Sequence, residues 1–187
     1  MTVEPIRELK TVDRMYKHLR NKSLRNGLLF KMGVNTILRI SDILLLKYSD
    51  IFAKNGDFRR YLVLNEGKTD KIKKIPLNRG IRRLIKEHCK HYGLSGNDWI
   101  FFSVHNPDKH LDRVTAYKIL KAAARDLNIP HFGTHSMRKT LAYYIYKKTR
   151  NIALVMKMLN HTRPSVTMRY IGVDQEDIDE AYEDYSI

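Results

Sequence analysis

A single cysteine, Cys89, stands in 187 residues, which excludes an internal disulfide and any cysteine-rich zinc site. His88 and His91 lie beside it, but no second ligand cluster follows, so all three read as ordinary helix residues rather than a metal site. Long apolar runs are missing too, and nothing approaches the roughly 20 residues of a membrane span. The opening Met-Thr-Val-Glu-Pro puts a charge and a proline where a secretory leader needs an apolar stretch. These absences predict a cytoplasmic chain with no membrane partner. No internal repeat and no low-complexity linker divides it, and its length suits one domain with a full-sized core.

Acidic residues are also scarce. The chain has 20 Asp+Glu against 35 Lys+Arg, a net charge of +15. The imbalance is steeper over most of the length, because seven of the acids fall in the last 17 residues, which hold no Lys or Arg. Residues 1–170 therefore set 35 basic groups against 13 acidic ones, a net of +22. A body this basic calls for a polyanion, either nucleic acid or an acidic surface. With 43% hydrophobic and 29% charged residues, the composition is that of a folded domain rather than a disordered one.

Periodicity predicts an α+β chain that is mainly helical with one small antiparallel sheet. Thr11 reads as the cap of a helix to about Leu19, with Val12, Met15, Tyr16 and Leu19 on one stripe. A second helix is expected over Leu28–Met32, ending near Gly33, and a third over Ile43–Lys47, capped by Ser41. Arg60–Leu64 and Lys71–Leu77 read as strands joined by the turn Glu66-Gly67-Lys68-Thr69-Asp70. Helices follow from Asn78 to about His91 and from Arg113 to Leu127, with the short apolar run Trp99–Phe102 between them. Gly133-Thr134 opens a helix whose first turn is His135-Ser136-Met137-Arg138, and Ile152–Leu159 and Pro164–Tyr170 complete the helical set. The tail from Gln175 to Tyr185 places Ile178, Ala181, Tyr182 and Tyr185 at helical spacing, with acids on the other face.

The chemistry-bearing residues are Arg39, Lys68, His135, Arg138, His161 and Tyr170. His-x-x-Arg alone identifies nothing, since His110-Leu-Asp-Arg113 repeats it. At a helix start, however, His135 and Arg138 share a face where backbone N–H groups already favour an anion. Arginine grips two phosphate oxygens at once, as lysine cannot. Arg39 sits among Ile37, Leu38 and Ile40, and reads either as a structural ion pair or as a second clamp on the same phosphate. Lys68, at the tip of a hairpin, is either an idle solvated amine or a proton donor to a leaving oxygen. Tyr170, nine residues after His161, has a phenol of pKa ~10 and needs a base or cations nearby to act as a nucleophile.

These residues, in this order, resemble the tyrosine recombinases of the phage integrase family. Leu38-Arg39-Ile40-Ser41-Asp42-Ile43 is similar to the family's first-arginine motif, and Gly67-Lys68-Thr69 with Ile75-Pro76-Leu77 to its lysine hairpin. Thr134-His135-Ser136-Met137-Arg138 resembles the His-x-x-Arg box, Leu159-Asn160-His161 the Leu-Gly-His box, and Tyr170 stands at the nucleophile's place. Asn160 replaces the usual glycine, and Lys139 stands where a histidine often follows the box arginine.

The resemblance implies a catalytic domain over 1–173 and an acidic tail over 174–187 that packs on a neighbouring protomer or folds back in cis. It implies cleavage and rejoining of double-stranded DNA through a 3′-phosphotyrosyl intermediate, with no metal or nucleotide cofactor. The expected partners are DNA, further copies in a synaptic tetramer on the nucleoid, and accessory DNA-bending factors. About 20 residues precede the first catalytic-domain helices, so the chain resembles the short single-domain recombinases or a fragment of a longer one. A type IB topoisomerase and a DNA-binding regulator on an inert recombinase scaffold are the rival readings.

Overall fold

Apolar stripes at helical spacing set the architecture, and one short hairpin interrupts them. The computed structural model describes residues 3–66, 71–172 and Glu183. In chain order its helices are α1 (Leu9–Lys22), α2 (Leu24–Thr36), α3 (Ile40–Leu44) and α4 (Tyr48–Ile51). Strands β1 (Leu62–Glu66) and β2 (Lys71–Ile75) follow, then α5 (Arg79–Tyr92), α6 (Arg113–Asp126), α7 (Thr134–Thr149), α8 (Ile152–Leu159) and α9 (Pro164–Ile171). The strands pair antiparallel with Leu62 opposite Ile75 and Leu64 opposite Lys73. The result is the expected mainly helical α+β fold. Among the described residues, no helix is long and apolar enough to cross a membrane.

Two apolar clusters organise the helices. The larger takes Met15 and Leu19 from α1, Leu29, Phe30 and Met32 from α2, Ile43 from α3, Ile85 from α5, Leu120 from α6 and Met137 from α7. The smaller joins Ile37 to Ala142 and Tyr143 of α7, Val155 and Leu159 of α8 and Ile171 of α9. Ile37 and Leu38 are neighbours in sequence yet enter different clusters. Their split is achieved by a left-handed backbone at Ile37, with φ of 54°. That conformation is strained for a β-branched residue, at about 1–3 kcal/mol. Arg39 leaves the seam immediately after it.

Several boundaries differ from the sequence reading, each for a physical reason. Glu8, not Thr11, stands at the N-cap of α1, and the Thr11 hydroxyl donates to the Glu8 carboxylate instead. Gly33 does not end α2, which runs on to Thr36. A Cβ at Gly33 would lie 2.5 Å from the Met137 sulfur and 2.9 Å from its Cβ, so the glycine marks where α2 crosses α7. The cap of α3 is Arg39 rather than Ser41, and the Asp42 carboxylate accepts the Arg39 backbone N–H at 3.3 Å. Asn78, read as the start of a helix, is the N-cap of α5, and Asp112, not singled out in the sequence, caps α6; they accept the N–H groups of Ile81 and Thr115, both at 2.9 Å.

Gly33 supports the helix that carries His135 and Arg138. Gly33→Val should overpack this crossing and cost about 1–3 kcal/mol, read as a lower denaturation midpoint with an unchanged slope. An unchanged midpoint would show that α2 and α7 separate easily.

Candidate active site

α7 brings the first pair of side chains. Gly133 is the extended N-cap residue, and its N–H donates to the Ser136 hydroxyl at 3.1 Å, which turns the chain into the helix. His135 opens on the first turn with its ring edge accessible to solvent, whereas Arg138 one turn later is buried, at 5% exposure. Arg138 Nη2 donates to the carbonyl of Leu159 at 3.0 Å, so the guanidinium is moored to the last turn of α8.

That last turn receives a second cation. Lys73 of β2 reaches across 85 positions in sequence to donate from Nζ to the Met158 carbonyl at 3.1 Å. Helix ends leave their final carbonyls without intrahelical partners and carry partial negative charge, so two cations there are well placed. The chain then reverses at Asn160, a left-handed C-cap with φ of 59°. Asparagine is among the residues best tolerated in that conformation. It therefore fills the place where the resemblance expects glycine without distorting the turn.

His161 follows the reversal. Its Nδ1 is hydrogen-bonded to the Thr167 hydroxyl at 3.0 Å, and Thr167 is fully buried in α9. Tyr170, one turn further along α9, meets the His161 ring edge-on with centroids 5.2 Å apart. The Lys139 ammonium lies 5.2 Å from the centre of the Tyr170 ring. Arg39 bears electrostatically on His135, His161 and Tyr170, as Arg138 does, so both arginines converge on these three side chains. Lys68 and its turn lie outside the described residues, as does the acidic tail except for Glu183.

The fields at this site are one-sided. Burial holds His135 below the usual histidine range, and Arg138, Arg113, Arg39 and Lys139 push it the same way. His161 is lowered by burial and then by Arg138, Arg39 and Lys73. Both imidazoles are thus biased toward the neutral form at pH 7. Burial raises the Tyr170 phenol, while Arg138 and Arg39 oppose the shift without overcoming it. The expected activation by the arginines is present in direction, but burial outweighs it in the protein alone. Every charged group among the described residues that shifts the three side chains is a cation, which suits the site to an oxyanion. Among the described residues, no group of three His, Cys, Asp or Glu side chains could hold a metal ion.

Three contributors escaped the sequence reading. Thr167 and Lys73 have no motif around them, and Lys139 registered only as a departure from the usual residue. A period of six between His161 and Thr167 was the one available hint.

Comparison with known proteins identifies the family. The phage integrase family model matches residues 8–177. The probable integrase/recombinase YoeC of Bacillus subtilis (strain 168) is 39% identical over 180 residues, covering 96% of this chain and 95% of that protein. The tyrosine recombinase XerH of Helicobacter pylori (strain ATCC 700392 / 26695) is 28% identical over 92% of this chain and 48% of its own length. The chain thus spans about half of that longer relative. A crystal structure of the XerH site-specific recombinase, bound to a palindromic difH substrate in a post-cleavage complex, superimposes with a TM-score of 0.76. That likeness covers 94% of this chain and 51% of the other at 22% identity. The chain belongs to the phage integrase family, the site-specific tyrosine recombinases.

Thr167 can be tested without DNA. Thr167→Val keeps the shape but removes the hydroxyl, and loss of a net hydrogen bond should cost about 1 kcal/mol. The imidazole nitrogen shifts of His161 should change, with Nδ1 losing its hydrogen-bond signature in NMR spectra. Unchanged shifts would show that Thr167 does not orient the ring.

Proposed function

We propose that this protein cleaves and rejoins double-stranded DNA through a 3′-phosphotyrosyl intermediate on Tyr170. The observation that supports the reading is the His161 ring edge-on to Tyr170, centroids 5.2 Å apart, with buried Arg138 moored at Leu159 two residues before His161 and Arg39 acting on the same side chains. The two arginines grip the non-bridging oxygens of the scissile phosphate and stabilise the charge that grows on them in the transition state. The Tyr170 oxygen attacks phosphorus, forming the phosphotyrosyl bond as the bond to the 5′-oxygen breaks. Neutral His135 takes the phenol proton, Lys68 protonates the departing 5′-oxygen, and the free ring nitrogen of His161 donates to a phosphate oxygen. A 5′-hydroxyl then attacks the phosphotyrosine and the steps run in reverse. One phosphodiester is exchanged for another, so the cycle needs no metal or nucleotide.

The DNA path is suggested by α6. Arg113, Tyr117, Lys121 and Arg125 recur every fourth residue, so they share one face. Two clefts lie along it, of about 440 and 500 Å3. Arg113, Tyr117 and His135 line the first, and Tyr117, Lys121 and Arg125 the second. A duplex whose scissile phosphate reaches Arg138 would lay its flanking phosphates on this stripe, with the steep salt dependence of counterion release. The protein would act in the cytoplasm on nucleoid DNA, with accessory bending factors where the site requires them.

Apolar surface left exposed among the described residues supports assembly. Leu154 of α8 and Val166 of α9 are exposed, at 39% and 47%, beside the smaller cluster. The tail over 174–187, treated as a unit apart from a catalytic domain over 1–173, has Ile178, Ala181, Tyr182 and Tyr185 at helical spacing in its sequence. Its packing onto α8 and α9 of a neighbouring copy would link active sites in a synaptic tetramer.

The mechanism is tested with supercoiled DNA carrying the gene's own flanking sequence, in EDTA. Wild type should leave protein covalently joined to DNA on a denaturing gel, and Tyr170→Phe should leave none while binding DNA within about twofold of wild type. An adduct that persists in Tyr170→Phe sinks the assignment. Binding without any wild-type adduct favours the inert regulator, and relaxation without joining of two duplexes favours a topoisomerase.

A further inference from the structure

The segment ahead of α1 is bound to the two helices that carry the site. The Glu4 N–H donates to the His131 carbonyl at 3.0 Å, and the Ile6 N–H to the Thr140 hydroxyl at 2.8 Å. The Tyr144 hydroxyl donates to the Arg7 carbonyl at 2.5 Å. These ties run from the approach to α7 along its length. Arg7 itself turns the other way: its Nη2 donates at 2.5 Å to the carbonyl of Gly172, the left-handed residue that ends α9. Tyr170 lies two residues before that carbonyl.

Lys139 makes the second connection. It is 7% exposed, and its ammonium donates to the Val3 carbonyl at 2.8 Å while facing the Tyr170 ring. A buried ammonium is costly unless it is well partnered. Here a main-chain carbonyl of the segment ahead of α1 and the face of the tyrosine ring share it. Lys139 and Arg7 thus each touch that segment and the nucleophile's helix at once. Arg39, Arg138 and His135 can hold a phosphate without either of them, so these contacts concern where the phenol sits, not how the phosphate is gripped.

We propose that Lys139 and Arg7 are positioning residues for the nucleophile, tying the Tyr170 ring and the end of α9 to the Val3–Glu8 segment so that this segment sets the reach of the phenol. The inference rests on Tyr170 being the nucleophile. It makes Val3–Glu8 a strap across α7 and α9: tightening it fixes Tyr170, and releasing it frees the last turn of α9. A cation against the ring also favours the phenolate over the phenol, so Lys139 would contribute to reactivity as well as position.

The test compares Lys139→Met, Lys139→Arg, Arg7→Ala and Arg7→Lys in the full chain. One readout uses protein labelled with 3-fluorotyrosine, the Tyr170 signal being assigned by its loss in Tyr170→Phe. Lys139→Met should move the Tyr170 signal and raise its titration midpoint, and Lys139→Arg should restore both. Arg7→Ala should shift or broaden the same signal, and Arg7→Lys should recover it in part. The second readout is single-turnover adduct formation on nicked duplexes from the flanking DNA. There Lys139→Met and Arg7→Ala should lose about 10–100-fold in rate, the scale of a small misplacement of a reacting group, with DNA binding within twofold of wild type. A Tyr170 signal and titration unmoved by both Lys139→Met and Arg7→Ala overturns the proposal whatever the catalytic result. Equal loss of binding and cleavage, without rescue by the conservative variants, overturns it as well. Failure of the nucleophile assignment shows up separately, as an adduct that survives Tyr170→Phe.

Discussion

The mooring of Arg138 to the Leu159 carbonyl is the contact on which the rest of the site depends. It joins the middle of one helix to the end of another, and so fixes where the chain can reverse toward His161 and Tyr170. It also gives the buried guanidinium a main-chain oxygen partner at the end of α8. Lys73 repeats this solution on the preceding carbonyl. The end of α8 thereby concentrates positive charge beside the site while each cation keeps a hydrogen bond.

The titration behaviour follows from that arrangement. Burial first and then the surrounding cations disfavour the imidazolium, so His135 and His161 are biased toward the neutral form, able to accept or share a proton. Tyr170 is held by burial in its protonated form. A phosphate entering the pocket would reverse part of this balance, because its negative charge offsets the arginines and raises the imidazole pKa values. Proton transfer from phenol to imidazole would then become easier at the moment the substrate is seated. If Tyr170 is the nucleophile, as proposed, burial would keep it weak until a phosphate is seated.

Much of this was legible in the sequence, and the exceptions share a cause. The starts of α5 and α6, the α8 bounds and the α7 start could be read because each depends on residues within a few positions of one another. Gly33 was misread as a helix end because its reason lies 104 positions away, at Met137. Lys73, Lys139 and Arg7 were invisible as contributors because each spends its charge on a distant main-chain carbonyl, and any residue type can offer a carbonyl. Arg39 was identified as a site residue, but Ser41 was read as the cap of a helix over Ile43–Lys47, whereas the helix begins three residues earlier, at Ile40, with Arg39 as its cap. Side-chain motifs can thus be read from order and spacing, whereas main-chain acceptors cannot.

The two apolar clusters give the site its freedom as well as its shape. Ile40 and Met137, neighbours of the two arginines, sit in the larger cluster, while Leu159 and Ile171, neighbours of His161 and Tyr170, sit in the smaller. Helix α7 belongs to both, since Met137 packs in one and Ala142 and Tyr143 in the other. On the proposed reading the phosphate clamp sits beside the larger cluster and the nucleophile beside the smaller, with the Arg138–Leu159 hydrogen bond tying the two across the seam. Packed cores resist continuous deformation, so any shift a covalent cycle required of the proposed nucleophile would be absorbed between the two clusters rather than within one.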